Sequence, residues 1–212
     1  MLGGGAPAVI AAAKALLSSV LAGLLGLDTV QAGQFLLSRP ALVGPVLGWL
    51  NGCPLEGARL GILIELIYID FIPVGGVVPP NGAAAAAAAV LAHAYGGLAP
   101  SLSFFLGVLA GAAYSPVESR LRAARSAWNP VVEAQAAAGT LALRRWLARA
   151  MLIENAALAA YAAAWAGMAA LLALLPGLAR LYPGTDFAYS LMPWLGLSGL
   201  YFRFRTQIYK KG

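Results

Sequence analysis

Leu60-Gly61-Ile62-Leu63-Ile64-Glu65-Leu66-Ile67-Tyr68-Ile69 is an apolar run with a single ionisable group near its centre. Neither helical nor strand spacing gives Glu65 a polar face to share, so the segment does not make a water-facing helix. An ionisable side chain at bilayer depth is costly, and it turns toward a cavity or a partner and marks a functional position. Gly61 and Tyr68, at i−4 and i+3, lie on its side of a helix. Gly61 leaves room there for a neighbouring backbone, and Tyr68 offers a hydroxyl.

Working outward, residues 28–81 hold most of the charges and amides that precede residue 110, among them Asp28, Gln34, Arg39, Glu65, Asp70 and Asn81. Glycines and prolines break the helices around them: Ser38-Arg39-Pro40, Gly44-Pro45, Gly48, Pro73-Val74-Gly75-Gly76 and Pro79-Pro80. In a bilayer, broken helix is tolerated only where protein or water covers the freed backbone groups. Polar side chains beside broken helices at mid-membrane are how many transporters build a substrate site.

The whole chain agrees. Of its 212 residues, 61% are hydrophobic and only 10% charged, and the mean hydropathy is +0.79. A soluble domain carries about 25% charged residues. The expected fold is therefore an all-α integral membrane protein, a polytopic helical bundle with re-entrant or discontinuous helices. At roughly 20 residues per span, about six or seven spans fit. The formal charge of +6 comes from basic residues that flank or interrupt apolar runs, which is juxtamembrane anchoring rather than a nucleic-acid surface. The lone Cys53 excludes an intramolecular disulfide and a cysteine metal cluster. No metal or other cofactor is implied.

A single membrane domain over 1–212 is expected. Residues 8–96 form its substrate-site half, beginning with a retained first span at about 8–27. Residues 41–50 are too short to cross alone and read as a re-entrant helix, turned at Asn51-Gly52-Cys53-Pro54 into a helix over 55–72. The Ala83–Ala89 run is weakly hydrophobic but suited to close helix packing, so 83–96 belongs inside the bundle. A span over 98–115 precedes a charged, Ala-rich segment, 116–149, expected as an amphipathic pair on the cytoplasmic side, broken at Asn129-Pro130. Two C-terminal spans, 150–176 and 187–202, are joined by an external loop between Pro176-Gly177 and Pro183-Gly184. The arginine clusters at 120–149 and at the C-terminus put both in the cytoplasm.

Together, Leu27-Asp28, Gly33-Gln34-Phe35, Ser38-Arg39-Pro40, Gly44-Pro45, Gly48, Gly57, Gly61, Glu65-Leu66, Pro73-Val74-Gly75-Gly76 and Pro79-Pro80 resemble one family. It is the enzyme IIC subunit of the mannose/fructose/sorbose family of the bacterial sugar phosphotransferase system. The resemblance implies a transport subunit, not itself an enzyme, in the inner (plasma) membrane. It implies an oligomeric assembly with a IID-like membrane subunit, passing a hexose inward for phosphorylation by a cytoplasmic IIB (IIAB) subunit. Asn81 stands where many members carry an aspartate, and a neutral amide can still bond a sugar hydroxyl.

Sugars are neutral and bring both donors and acceptors, so carboxylates and amides with a nearby aromatic suit them. Glu65, Gln34, Asp28 and Asn81 are the expected substrate ligands, with Arg39, Tyr68 and Asp70 in support. Each has a plainer role beside it. Glu65 can be half of an ion pair with Arg39 or Arg59, Asp28 can be the N-cap of the next helix, and Arg39 can bond carbonyls of the broken segment. Asp70 belongs near the membrane end of its helix, and His93 is a packing residue rather than a phosphoryl carrier. Gly196-Leu197-Ser198-Gly199 fits a protease-like GxSG, but the histidine precedes the serine, the reverse of the intramembrane serine protease order. The alternative to transport is a regulatory or receptor-like membrane protein that keeps the fold.

Overall fold

A computed structural model describes residues 5–29, 33, 35–69, 71 and 77–209, with side chains described between residues 9 and 205 of these. Its elements are α1 (Gly5–Gly26), α2 (Pro40–Leu50), α3 (Pro54–Tyr68), α4 (Gly82–Gly96), α5 (Pro100–Ser126), α6 (Asn129–Ala137), α7 (Leu143–Leu172) and α8 (Tyr182–Tyr209). No strand occurs among the described residues. The chain is an all-α membrane bundle, as its composition predicts.

Helix boundaries follow local chemistry. α2, α3 and α5 each place a proline at the first turn, Pro40, Pro54 and Pro100, where the missing N–H is not needed. α4 instead starts from Asn81, whose side chain accepts the Ala84 N–H at 2.9 Å, and stops at Gly97 with φ +60°.

α2 and α3 contain 11 and 15 residues. At about 1.5 Å per residue neither spans a hydrocarbon core of roughly 30 Å. They fold back on each other as a hairpin through Asn51-Gly52-Cys53. Their backbones touch: a Cβ on Gly44 would lie 2.3 Å from the Gly57 carbonyl oxygen, and one on Gly57 would lie 2.4 Å from that of Gly44.

α4 is the buried axle. Ala83 to Ala92 are all at most 2% exposed, and the helix packs against α5, α7, α2, α1 and α3. A helix apolar on every side belongs in the interior. Its methyl side chains let the surrounding helices approach closely, as expected for 83–96.

Three described helical segments are long and apolar enough to cross a membrane: Val9–Thr29, Pro100–Ala137 and Leu143–Leu172. α1, α7 and α8 also present exposed Leu16, Leu17, Leu152, Leu171, Phe187 and Trp194, a surface suited to lipid or to a membrane partner.

Some boundaries differ from the sequence expectation. α5 does not end near 115 but continues through Pro116 to Ser126, so Glu118, Arg120, Arg122 and Arg125 continue the same helix rather than begin a separate one. Arg144, Arg145 and Arg149 likewise open α7. Between them the chain does turn beside Asn129-Pro130, where the Arg149 guanidinium lies 4.8 Å from the Trp128 ring centroid. Pro183-Gly184 falls in the first turn of α8 rather than in the loop before it.

Candidate functional site

A cavity of about 570 Å³ opens between the segment after α1, the α2–α3 hairpin, the residues leading into α4, and the end of α5. Ligand pockets commonly fall between about 300 and 1,000 Å³. Asp28, Arg39, Glu65, Tyr68 and Asn81 all line it. Five of the seven residues singled out in the sequence therefore meet on one surface. The other two, Gln34 and Asp70, lie outside the described residues.

Glu65 projects from the last turn of α3, three residues before Tyr68, because the helix ends there rather than running on to 72. Its Oε1 accepts from Arg39 Nη1 at 2.9 Å, so the ion pair with Arg39 is present. Its Oε2 is buried with no hydrogen-bond partner among the described groups. Arg39 therefore bonds a carboxylate across the hairpin rather than the carbonyls of its own segment. Arg59 pairs with Glu56 instead, at 3.0 Å.

Asp28 is buried at the cavity edge. Its carboxylate accepts the backbone N–H groups of Phe35 at 2.7 Å, Leu37 at 2.6 Å and Ser38 at 3.4 Å. It does not cap the next helix: α2 has Arg39 at its N-cap and no side-chain cap bond. The reason is geometric. The loop turns back over Asp28, with Leu36 at φ +68°, and presents its N–H groups to the nearest acceptor.

Tyr68 donates its hydroxyl to the Val108 carbonyl at 2.7 Å and stands edge-to-face with Phe71, ring centroids 5.6 Å apart. That pair gives the cavity an aromatic wall. Asn81 is engaged at both ends of its amide: Oδ1 caps α4, and Nδ2 donates to Glu118 Oε2 at 3.1 Å. Glu118 also accepts from Arg122, and both line the cavity.

The model of the family "PTS system sorbose-specific IIC component" matches residues 12–198 of this chain. The chain belongs to that family. This IIC chain is accordingly a membrane transport component of a sugar phosphotransferase system. Among curated proteins no sequence matches it. Solved structures do. One titled only as a membrane protein superposes with a TM-score of 0.72 at 17% identity, covering 91% of the IIC chain and 78% of its own. The cryo-EM structure of the mannose transporter ManYZ with microcin E492 (MceA) superposes with a TM-score of 0.61, also at 17% identity, covering 93% and 80%. At that identity the likeness is one of fold.

Glu118 and Arg122 of the IIC chain escaped the sequence reading, which ended the span at 115 and assigned them to an interfacial segment. The signal was there. Val108, Gly111, Ser115, Glu118 and Arg122 recur at three and four residues, one continuous helix face that runs past Pro116. Two other side chains stand apart from the site. His93 Nδ1 donates to the Leu98 carbonyl at 2.8 Å, fastening the end of α4. Ser198 Oγ donates to the Leu195 carbonyl of its own helix at 2.8 Å.

Proposed function

We propose that this chain carries a hexose inward across the bacterial inner membrane, beside a IID-like membrane subunit within an oligomer, and that a cytoplasmic IIB (IIAB) subunit phosphorylates the sugar. Glu65, Asn81, Asp28 and Gln34 form its site, with Arg39, Tyr68 and Asp70 in support. The C-terminus lies in the cytoplasm, and the substrate-site half, the cytoplasmic-side segment and the two C-terminal spans act as one membrane domain.

The observation that carries this function is the free oxygen of Glu65. A buried acceptor without a donor costs about 1–3 kcal/mol, and more when charged. Glu65 Oε2 is such an acceptor, on a residue that lines the cavity. A sugar hydroxyl is a donor of the right kind, and the ring of Tyr68 offers a face for the apolar side of a pyranose. Asn81 supplies an N–H, because its nitrogen carries two hydrogens and Glu118 takes one. Asp28 shapes the rim through the loop that it holds. Gln34, flanked by Gly33 and Phe35 beside that rim, is assigned on chain position alone, as is Asp70.

Glu65→Gln tests the proposal. The amide keeps the shape but loses charge-assisted bonds worth on the order of 1.5–3 kcal/mol, so hexose affinity should fall roughly 10- to 150-fold. Yield and affinity are read on one preparation. Intact yield with unchanged affinity would remove Glu65 from the site, and loss of yield with a near-normal half-saturation for uptake would leave it only its ion pair.

A further inference from the structure

One face of α5 fastens the far wall of the cavity. The Val108 carbonyl accepts from Tyr68, the Gly111 carbonyl accepts the Asn81 backbone N–H at 3.0 Å, and Ser115 Oγ donates to the Pro79 carbonyl at 3.1 Å. α5 comes this close because Gly111 has no Cβ, which would otherwise lie 2.8 Å from the Asn81 carbonyl oxygen. Glu118 completes the row. It is 8% exposed and lies between the cavity and a smaller one that Arg125 and Glu154 also line.

The shape of an amide does not fix which end is oxygen and which is nitrogen; its partners do. Asn81 Oδ1 meets the N–H of Ala84, and Nδ2 meets the Glu118 carboxylate. Turning the amide over would set N–H against N–H at the start of α4 and oxygen against oxygen at Glu118, losing both bonds. A carboxylate at 118 accepts only, so it locks from the other end the orientation that the Ala84 N–H sets.

We propose that Glu118 is a specificity-determining positioning residue, which together with the Ala84 N–H holds the Asn81 amide in one orientation and so decides which hydrogen-bonding groups position 81 presents to the sugar. This rests on the sugar site proposed above. In the observed orientation Asn81 keeps an N–H for a sugar oxygen. A carboxylate at 81 would offer acceptors alone and would repel Glu118 across the same gap.

Exchanging the partners tests the bond. Asn81→Asp opposes two carboxylates, and Glu118→Gln leaves an amide that cannot accept from both Asn81 and Arg122 through one oxygen without turning its nitrogen on one of them. In the double variant the carboxylate now at position 81 still caps α4 and accepts from the amide now at position 118, whose oxygen accepts from Arg122. The bond is kept with donor and acceptor reversed. Melting is measured on the purified full-length chain, and binding of radiolabelled mannose and sorbose on membranes that contain it.

Each single variant should melt lower and bind hexose roughly tenfold more weakly, the scale of a lost hydrogen bond to a charged group. The double variant should recover its melting temperature while its mannose-to-sorbose affinity ratio differs from wild type. If the double variant melts no higher than the worse single, or does not fold at all, the bond is not as described and the proposal falls. It falls equally if Glu118→Gln leaves both affinities unchanged. Failure of the wild-type chain to bind either hexose counts against the transport function above, and the melting temperatures then decide the bond by themselves.

Discussion

Arg39 Nη1 and Glu65 Oε1, 26 residues apart in sequence, meet at 2.9 Å across the α2–α3 hairpin. The two ends of the pair differ: the arginine side chain is 53% exposed and the glutamate 20%. Exposed ion pairs contribute about 0–1 kcal/mol, but stranding a largely buried carboxylate is far more damaging than removing it. Arg39→Gln should therefore lower the melting temperature more than Glu65→Gln does, and Glu65→Gln placed on top of Arg39→Gln should restore part of the loss. Equal, additive losses in the two variants would mean that the pair contributes nothing to holding the hairpin.

The hairpin itself rests on bare backbone contact. Gly57→Ala puts a methyl 2.4 Å from the Gly44 carbonyl oxygen, and overpacking of this kind costs about 1–3 kcal/mol or more. Gly167 on α7 is the matched control, because a Cβ there meets nothing within 4 Å. Gly167→Ala should be neutral or stabilising by about 0.5–1 kcal/mol, since glycine weakens a helix interior. Thermal melting of both variants in detergent gives the comparison. A Gly57→Ala chain as stable as wild type would show that the hairpin can open without loss.

The membrane fold, the sub-span hairpin and the buried α4 were legible in the sequence because each has a one-dimensional signature: an apolar run, Gly-Pro punctuation, and a stretch of alanines. The polar wall was half legible. Asp28, Glu65 and Asn81 stand out against lipid-like surroundings, but what each bonds is a matter of folding. Asp28 meets N–H groups 7 to 10 residues ahead of it, a return of the loop that no pattern announces. Glu118 was hidden for a different reason. It sits among arginines, and their charge density looks like the end of a helix, whereas α5 continues past Pro116 and buries Glu118.

Charge asymmetry predicts the topology of the C-terminal part. Arg120, Arg122 and Arg125 at the end of α5, with Arg144, Arg145 and Arg149 at the start of α7, form one basic zone, and Arg203 and Arg205 lie near the end of α8. Positive residues favour the cytoplasmic side, so α7 and α8 should cross outward and back. A reporter active only in the cytoplasm should work when fused to the C-terminus and fail when inserted at Pro176-Gly177. Cytoplasmic activity at that loop would refute the paired crossing.

Tyr68 separates anchoring from recognition. Its hydroxyl donates to the Val108 carbonyl at 2.7 Å, while its ring lines the cavity beside Phe71. Val108 lies within α5, so its carbonyl keeps a helical partner when the phenol is removed. Tyr68→Phe should then cost about 0.5–1.5 kcal/mol of stability, one ordinary hydrogen bond, and change hexose affinity by no more than roughly twofold, well under the tenfold of 1.4 kcal/mol. Tyr68→Ala removes the aromatic wall as well, at less than the roughly 3–5 kcal/mol of a fully buried ring because Tyr68 is only partly buried, and should weaken both stability and binding. Melting and hexose binding on the same membranes distinguish the two variants. A large affinity loss in Tyr68→Phe with unchanged melting would move the hydroxyl from the scaffold to the sugar, and would place its donor in the cavity rather than on α5.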